Sequence, residues 1–289
     1  MSRCMIALFL LAVVASFGAP LSAEEEILVI EQDYNIVETG NKEGPSARDV
    51  RQKIYISSEF VCIDEFGGKA GELTLAEVIM IDLKNKQIIN INPQARKKVT
   101  ESFEDRRKRI ESRKKTAESD LAAQPDGPQK EKMEKLYRAL LDDRRKFAVA
   151  KEVPPGKTLA NVPCRPVKIV DADKPEYAPL EAQLHSQLEL PYDNTEVLYL
   201  LQLIGRKMAD FLRVHKETFK YVPMELHLDL AAGGSLDTKV VSVTKVEKSK
   251  LDFTSRGTMG NPFMVPENLE ERKIRRPPPK QETPDDKPN

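Results

Sequence analysis

The chain has 289 residues, with 46 basic and 46 acidic side chains and therefore no formal net charge at neutral pH. This balance argues against nucleic acid as a partner, because nucleic-acid-binding proteins present an excess of basic groups. Aromatic residues make up only 6% of the chain, and tryptophan is absent. The length allows one large domain or two small ones.

The first 23 residues have the pattern of a secretory signal peptide. Arg3 gives a positive start, residues 5–15 form a short apolar core, and Ala23 precedes an acidic run. The core is shorter than the ~20 apolar residues of a membrane span, and no later segment is long and apolar enough to be one. We therefore expect cleavage after Ala23, export to the periplasm or the extracellular space, and no transmembrane segment in the mature chain. Cys4 precedes the apolar core, so no lipid anchor is expected.

Two cysteines, Cys62 and Cys164, remain after removal of the signal peptide. Export to an oxidising compartment makes one disulfide a reasonable hypothesis. It would close a loop of about 100 residues and stabilise the fold by roughly 4–5 kcal/mol in the chain-entropy description. The alternative is a pair of buried thiols that pack as small apolar side chains.

Apolar and polar residues alternate in the first part of the mature chain, which predicts antiparallel strands with one wet face. A hairpin is predicted within residues 76–92, around Lys84 and Asn85. The predicted apolar faces are Leu28, Ile30, Tyr34 and Ile36 in residues 27–38, and Ile54, Ile56, Phe60 and Cys62 in residues 53–64.

Residues 95–150 are rich in charge and predict an inserted helical hairpin. The Pro-Asp-Gly-Pro stretch at 125–128 separates its two helices, because neither proline nor glycine continues a helix well. Its basic runs are typical of a solvated face, with contact to an acidic surface as the alternative. Asp142 and Asp143 are expected to be solvated acids on the second helix.

The second half of the chain predicts a strand over residues 157–171, then one long helix, and then two closing strands over residues 221–230 and 236–253. The helix covers residues 194–219, and its apolar belt is wide enough to require broad burial. The clearest strand covers residues 221–230, whereas residues 178–190 are weakly patterned. Residues 266–289 are proline-rich, charged and almost free of apolar side chains, which predicts a disordered tail.

No sequence motif for catalysis is present. There is no phosphate-binding glycine loop and no Gly-x-Ser-x-Gly elbow. The histidines His185, His215 and His227 share no metal-ligand spacing with cysteine or carboxylate residues. His215 is expected near a helix C-terminus, and His227 on the wet face of its strand. We therefore expect neither an enzyme nor a cofactor or metal site, although a hydrolase with an unrecognised site remains an alternative.

The order of elements predicts an α+β fold. Strands that cluster and connect by short turns pair antiparallel, and a long twisted sheet curls. The expected architecture is a curved antiparallel sheet, an open half-barrel, with helices covering its concave face. It forms one domain over residues 24–265, with the helical hairpin as an insertion.

Three stretches resemble the LolA-like, lipoprotein-carrier-like periplasmic half-barrel superfamily, in one of its uncharacterised branches. They are the hairpin of residues 78–93, the strand of residues 159–169, and the closing strands with their exit in residues 222–266. The resemblance implies a half-barrel that carries lipids or acylated proteins across an aqueous compartment. Each acyl CH₂ removed from water yields about 0.8 kcal/mol, which suits a concave apolar surface.

Two functions follow as hypotheses. The first is an exported, non-catalytic protein that holds a lipid, an acylated protein or another hydrophobic ligand in the groove between sheet and helices. The second is an envelope scaffold with a closed core, which binds a partner protein through its charged hairpin. The predicted groove residues are Ile54, Ile56, Phe60, Leu198, Leu201, Met208, Met224, Leu226 and Leu228.

Overall fold

A computed structural model describes residues 25–37, 50–68, 73–143, 145–231 and 234–272. The predicted signal peptide lies outside these residues. Thirteen strands form one sheet whose neighbours follow the order β13-β6-β5-β4-β3-β2-β1-β12-β11-β10-β9-β7, with β8 paired to β9. The strands are β1 Glu26–Val37, β2 Val50–Ile56, β3 Phe60–Gly67, β4 Thr74–Asp82, β5 Gln87–Asn92, β6 Lys97–Ser102, β7 Phe147–Val149, β8 Thr158–Leu159, β9 Val162–Asp171, β10 Leu180–Glu189, β11 Tyr221–Asp229, β12 Ser235–Glu247 and β13 Glu270–Glu271.

The predicted α+β fold with a large, curved and unclosed sheet is confirmed. Pairing is antiparallel throughout the described strands except between β13 and β6, which run parallel, so the sheet is mixed. The described residues also hold five α-helices, which are α1 Phe103–Ala123, α2 Pro128–Tyr137, α3 Asn194–Leu200, α4 Arg206–Val214 and α5 Lys216–Phe219.

The inner face of the sheet, defined by Leu28, Ile56 and Leu228, is covered by helices α3 and α4. Residues from strands as distant in the sheet as β4 and β11 share one apolar cluster with Leu200 of α3. The sheet must therefore curve around α3. A second inner cluster packs Met208 of α4 against strands β9 to β12. Each fully buried large apolar side chain contributes roughly 1.5–3 kcal/mol to stability. The two clusters therefore make the layer between the sheet and the helices the main core.

The helix predicted over residues 194–219 is three helices. Leu201 ends α3, Gln202 takes a positive φ of 59°, and Gly205 is the N-cap of α4. The apolar belt seen in residues 194–219 is wide because it belongs to three short helices, each of which buries a different side. The single-helix prediction was wrong because periodicity alone does not register a turn made of apolar residues.

The inserted hairpin is also shorter than predicted, because residues 97–102 and 147–149 belong to the sheet as β6 and β7. Helices α1 and α2 form the hairpin itself. Helix α1 buries Ile110 and Ala117, whereas α2 has no buried residue. The hairpin is thus attached to the core through α1 and through the segment that follows α2.

Residues 53–64 form two strands with a tight turn between them. Ser57 accepts hydrogen bonds from the amides of Glu59 and Phe60, at 3.3 and 3.0 Å, and this turn changes the alternation. Ile54 and Ile56 lie on the inner face, whereas Phe60 and Cys62 lie on the opposite, outer face. The shared face predicted for these four residues was therefore wrong.

Two further expectations need adjustment. Residues 180–189, which are weakly patterned in sequence, form the full strand β10. The described chain also continues past residue 266, where the tail was expected to begin. Leu269 packs in an apolar cluster, and β13 pairs with β6. Only residues 273–289 of the predicted tail lie outside the described residues.

Candidate functional site

The outer face of the sheet is divided into a covered half and an open half. Residues 248–272, the C-terminal strap, cover the half formed by the start of β1 and by β2 to β5. The other half, formed by the rest of β1 with β2 and β9 to β12, is the floor of an open cavity of about 1140 Å³. Ligand sites typically measure about 300–1,000 Å³, so this cavity is a candidate binding site.

The first row of the cavity floor crosses the strands in register. Arg51, Asp33, Lys239 and Glu225 are successive cross-strand partners on β2, β1, β12 and β11, so basic and acidic groups alternate. Arg51 donates to Asp33 at 3.2 Å. Cross-strand pairs of opposite charge stabilise a sheet, so this row explains how a polar face can extend across these four strands.

The second row continues the alternation two residues along each strand. Asp237, His227, Glu181 and Lys168 are successive partners on β12, β11, β10 and β9. The ring Nδ1 of His227 lies 2.7 Å from a carboxylate oxygen of Asp237, and Lys168 lies 2.8 Å from Glu181. The two rows together are called the charged floor below.

The segment before β8 forms one wall of the cavity. Its Lys157 makes an ion pair with Glu225 of the floor, and the Lys157 amide donates to Gln183 at 3.3 Å. Gly156 allows the close approach, because a Cβ there would lie 2.5 Å from the carbonyl oxygen of Cys164. Polar contacts therefore attach the wall to the floor, and a glycine at position 156 is needed for the wall to come this close to β9.

The cavity combines balanced charge with apolar side chains. A ligand made only of hydrocarbon would remove the charged groups from water without replacing their partners, which is costly. The lining suits a ligand that has both polar and apolar parts. The charged lining residues are Arg51, Lys157, Lys168, Lys239, Asp33, Glu181, Glu225 and Asp237, and the apolar ones are Val50, Leu73, Pro154, Pro166, Val167, Ala182 and Leu226.

The predicted groove residues lie mostly in packed clusters. Of the nine, Leu226 alone also lines the large cavity. Phe60 packs edge-on against Phe263 of the strap, with ring centroids 6.4 Å apart. On the inner face, the described side chains pack against those of the helices in two apolar clusters. Seven of the predicted groove residues belong to the inner clusters and do not line the large cavity; they are Ile54, Ile56, Leu198, Leu201, Met208, Met224 and Leu228.

Cys62 and Cys164 are both free and buried, and they lie in different apolar clusters. The structure therefore agrees with the second sequence-based alternative, in which the two cysteines are separate buried thiols. Burial raises the pKa of both thiols, so the protonated form is favoured. Both thiols are therefore expected to be chemically inert.

Cys62 belongs to a buried polar cluster under the strap. Arg256 donates to both carboxylate oxygens of Asp64, at 2.7 and 3.1 Å, and to the carbonyl oxygen of Gly260 at 2.6 Å. Both side chains of this ion pair are fully buried. Burial raises the pKa of Asp64 although Arg256 opposes the change. The pair fixes the strap on the sheet.

Asp142 differs most from its predicted role, because it is buried rather than solvated. Its carboxylate accepts hydrogen bonds from the amides of Lys207 and Met208 at the start of α4. Burial raises the pKa of Asp142 to about 6. The sequence signal was weak, because the group that it caps lies about 65 residues further along the chain.

The three histidines occupy separate places. His215 is the C-cap of α4, as predicted, and its ring packs against Phe211 with centroids 4.4 Å apart. His227 lies on the wet face, also as predicted. His185 accepts from the amides of Gln187 and Leu188, and burial lowers its pKa. Within the described ranges, no group of three or more histidine, cysteine or carboxylate residues could hold a metal ion.

Across the residues described here, no helix has the length and apolar character needed to cross a membrane. No protein-family model matches the chain, and no curated protein matches it. An uncharacterised conserved protein from Thermus thermophilus is similar in structure, with 10% identity, 93% of this chain and 99% of that chain covered, and a TM-score of 0.37. A β-barrel-like protein of the domain of unknown function DUF1849 from Brucella abortus has 12% identity, 78% and 100% coverage, and a TM-score of 0.30.

Proposed function

We propose that this chain is an exported, non-catalytic binding protein of the cell envelope, and that its ligand occupies the cavity above the charged floor. The observation that carries the proposal is the open volume of about 1140 Å³ on the outer face of the sheet, whereas the inner-face residues pack in an apolar cluster with the helices. Ligand sites are usually concave surfaces of this kind, held by regular elements.

The ligand class follows from the lining. A lipid or an acylated protein remains the proposed ligand in line with the LolA-like resemblance, but its polar part should contact the charged floor. Its apolar part would lie along the wall at Pro154 and Leu73. A plain hydrocarbon is disfavoured, because the floor charges would lose hydration without gaining partners.

The test fills the cavity with a side chain and measures binding. Lys239→Trp places an indole on the floor, and Val241→Trp places one on the same strand outside the cavity lining. The wild type and both variants are purified from the envelope and examined by native mass spectrometry for retained lipid. Each is then titrated with lysophosphatidylcholine below its micelle concentration.

We expect the wild type and Val241→Trp to bind this probe, and Lys239→Trp to lose at least tenfold in affinity. Equal binding by all three proteins would exclude the cavity as the site. Absence of any co-purified lipid together with absence of probe binding by the wild type would contradict the proposed ligand class.

A second candidate is an envelope scaffold that acts through the hairpin. The observation that favours it is that α2 has no buried residue, so the helix contributes little to the core. Replacing residues 119–135 by a short Gly-Ser linker keeps Ile110 and Ala117 in place. The scaffold proposal predicts an unchanged fold and loss of a partner in envelope cross-linking, whereas the ligand proposal predicts unchanged probe binding.

A further inference from the structure

Three ion pairs engage most of the charged groups that line the large cavity. Each pair joins one basic and one acidic side chain, so the six groups together carry no net charge. They leave one lysine and one aspartate of the lining, Lys239 and Asp237, outside the pairs. The pairs are Arg51 with Asp33 at 3.2 Å, Lys168 with Glu181 at 2.8 Å, and Lys157 with Glu225.

Lys239 lies in the middle of the first row of the charged floor, with Asp33 and Glu225 as its cross-strand neighbours. Neighbours of opposite charge in such positions can pair. Here both carboxylates are engaged by other cations, Arg51 and Lys157. Within the part of the chain that the structure describes, the Lys239 ammonium forms no ion pair and no hydrogen bond. This ammonium can therefore still bind an anion in the cavity.

Asp237 is the acidic counterpart of Lys239 on the same strand. The two residues are two positions apart, so both side chains lie on the same face and their Cα atoms are about 6.6 Å apart. The partner of Asp237 is the ring of His227, 2.7 Å away, and its charge depends on the pH. No described residue donates to the second carboxylate oxygen of Asp237, and the side chain is half exposed. Asp237 can therefore accept hydrogen bonds from a cationic donor in the cavity.

We propose that the cavity takes an amphiphile with a zwitterionic head group, in which Lys239 binds the anion and Asp237 binds a primary ammonium. The inference rests on the proposed binding function and names the ligand class for the same cavity. A ligand with a single negative charge would be attracted by Lys239 but repelled by the carboxylates around it, and a single positive charge would meet the reverse. A ligand with both charges and no net charge matches a lining of four basic and four acidic residues.

The spacing of the two groups narrows the choice of zwitterion. An α-amino acid carries both charges on one carbon, so it would have to draw together two side chains that start about 6.6 Å apart. In a phosphoethanolamine head group, two carbons separate the phosphate from the ammonium. The phosphate oxygens accept charge-assisted hydrogen bonds from Lys239, and the ammonium donates them to Asp237. The other ester of the phosphate leads to the acyl chain, which would lie along the apolar part of the wall.

Binding of two lysophospholipids with the same acyl chain tests the head group. Lysophosphatidylethanolamine carries both the phosphate and the ammonium, whereas lysophosphatidylglycerol carries the phosphate alone. Both are titrated below their micelle concentrations at pH 7.5 into wild type, Lys239→Met and Asp237→Asn. The controls are Lys245→Met on the same strand and Asp210→Asn on α4, because both side chains are exposed and lie outside the cavity lining.

We expect wild type to bind lysophosphatidylethanolamine about fivefold more tightly than lysophosphatidylglycerol, the effect of one ion pair that stays open to solvent. Lys239→Met should bind both lipids about fivefold more weakly, because both carry the phosphate. Asp237→Asn should weaken only the binding of the ethanolamine lipid and so remove the preference. Both control variants should behave as wild type.

Equal binding of the two lipids by wild type, or tighter binding of the glycerol lipid, would overturn the zwitterion assignment. This comparison needs no variant, so it holds even if a substitution impairs folding. Wild-type affinity of Lys239→Met for both lipids would also overturn it. Equal binding of glycerophosphoethanolamine, which lacks the acyl chain, would assign the site to a free head group and overturn the amphiphile.

Failure of the underlying cavity proposal gives a different result. In that case Lys239→Trp binds lysophosphatidylcholine as tightly as wild type does, or wild type binds no lipid at all. Loss of binding in Lys239→Trp together with equal affinities of wild type for the two head groups would keep the cavity as the site and overturn only the zwitterion assignment.

Discussion

The two halves of the outer face differ in what covers them, although strands β1 and β2 contribute to both. The outward residues of β1 are Ile27 and Val29 at its start, and Glu31 and Asp33 further along. The apolar pair lies under the C-terminal strap, whereas the charged pair faces open space. The residue type at alternate positions of one strand thus decides whether that part of the sheet is a core or a surface.

The boundary between the halves is marked by an ion pair. Lys53 and Glu31 lie 3.1 Å apart on neighbouring strands, between the buried Tyr55 and the open floor. Under the strap, Asp64 and Arg256 form an ion pair in which both side chains are fully buried. Stability should therefore depend on the strap half, and binding on the floor half.

The largest expected effect comes from breaking the buried pair. Arg256→Met keeps the volume but leaves Asp64 as an unpaired buried carboxylate, and removing one partner of such a pair costs about 3–5 kcal/mol. We expect a loss of that size in the free energy of unfolding, measured with urea at pH 7.5. Because burial already raises the pKa of Asp64, the carboxyl group should take up a proton and the deficit should shrink towards pH 5.

The matched control removes both charges. Asp64→Leu combined with Arg256→Met leaves no unpaired charge, so it should recover most of the lost stability. A double variant as unstable as Arg256→Met would show that the strap depends on the shape of the arginine rather than on its charge.

The sequence predicts the inner face of the sheet better than the outer face. Strand alternation and short turns are local signals, so the open antiparallel sheet, the hairpin around Lys84 and the strand 221–230 follow from them. The continuous run Ile27–Ile30 indicates burial on both faces, a pattern that a one-sided wet strand does not explain. The alternation within residues 27–38 captured only one of those faces.

The strap and the cap that Asp142 provides for α4 could not be predicted, because each depends on contacts between residues far apart in sequence. Arg256 meets Asp64 across 192 positions, in a segment without helical or strand periodicity. Asp142 meets the amide of Met208 across 66 positions. Neither contact leaves a local motif in the sequence, so Asp142 was predicted to be solvated and no role was predicted for Asp64 or Arg256. The open cavity likewise results from sheet register, which sequence alternation does not determine.

A smaller effect is expected where the cavity wall meets the floor. Gly156→Ala places a methyl group 2.5 Å from a backbone oxygen, so the wall must shift and Lys157 must move from Glu225. We expect a loss of about 1–2 kcal/mol in urea unfolding, in the usual range for point mutations. Hydrogen exchange of residues 157–164 should also become faster.

Gly67→Ala is the control for this substitution. Its Cβ would meet only the Cβ of Ala76 at 3.7 Å, an ordinary contact. It should change stability by less than about 0.5 kcal/mol, as neutral surface substitutions do. Equal losses in the two variants would mean that the wall at Gly156 is not specifically constrained.

The smallest effect is expected on the charged floor, and it sharpens the contrast with the strap. His227 and Asp237 lie 2.7 Å apart, but their side chains are 44% and 51% exposed. Exposed ion pairs contribute about 0.2–1 kcal/mol in double-mutant cycles, and salt screens them. A cycle of His227→Ala and Asp237→Ala at pH 5 should give a coupling in that range, reduced further at about 1 M salt. A coupling above about 2 kcal/mol would place the floor in the same energetic class as the buried pair, and the proposed division between a stabilising half and a binding half would then fail.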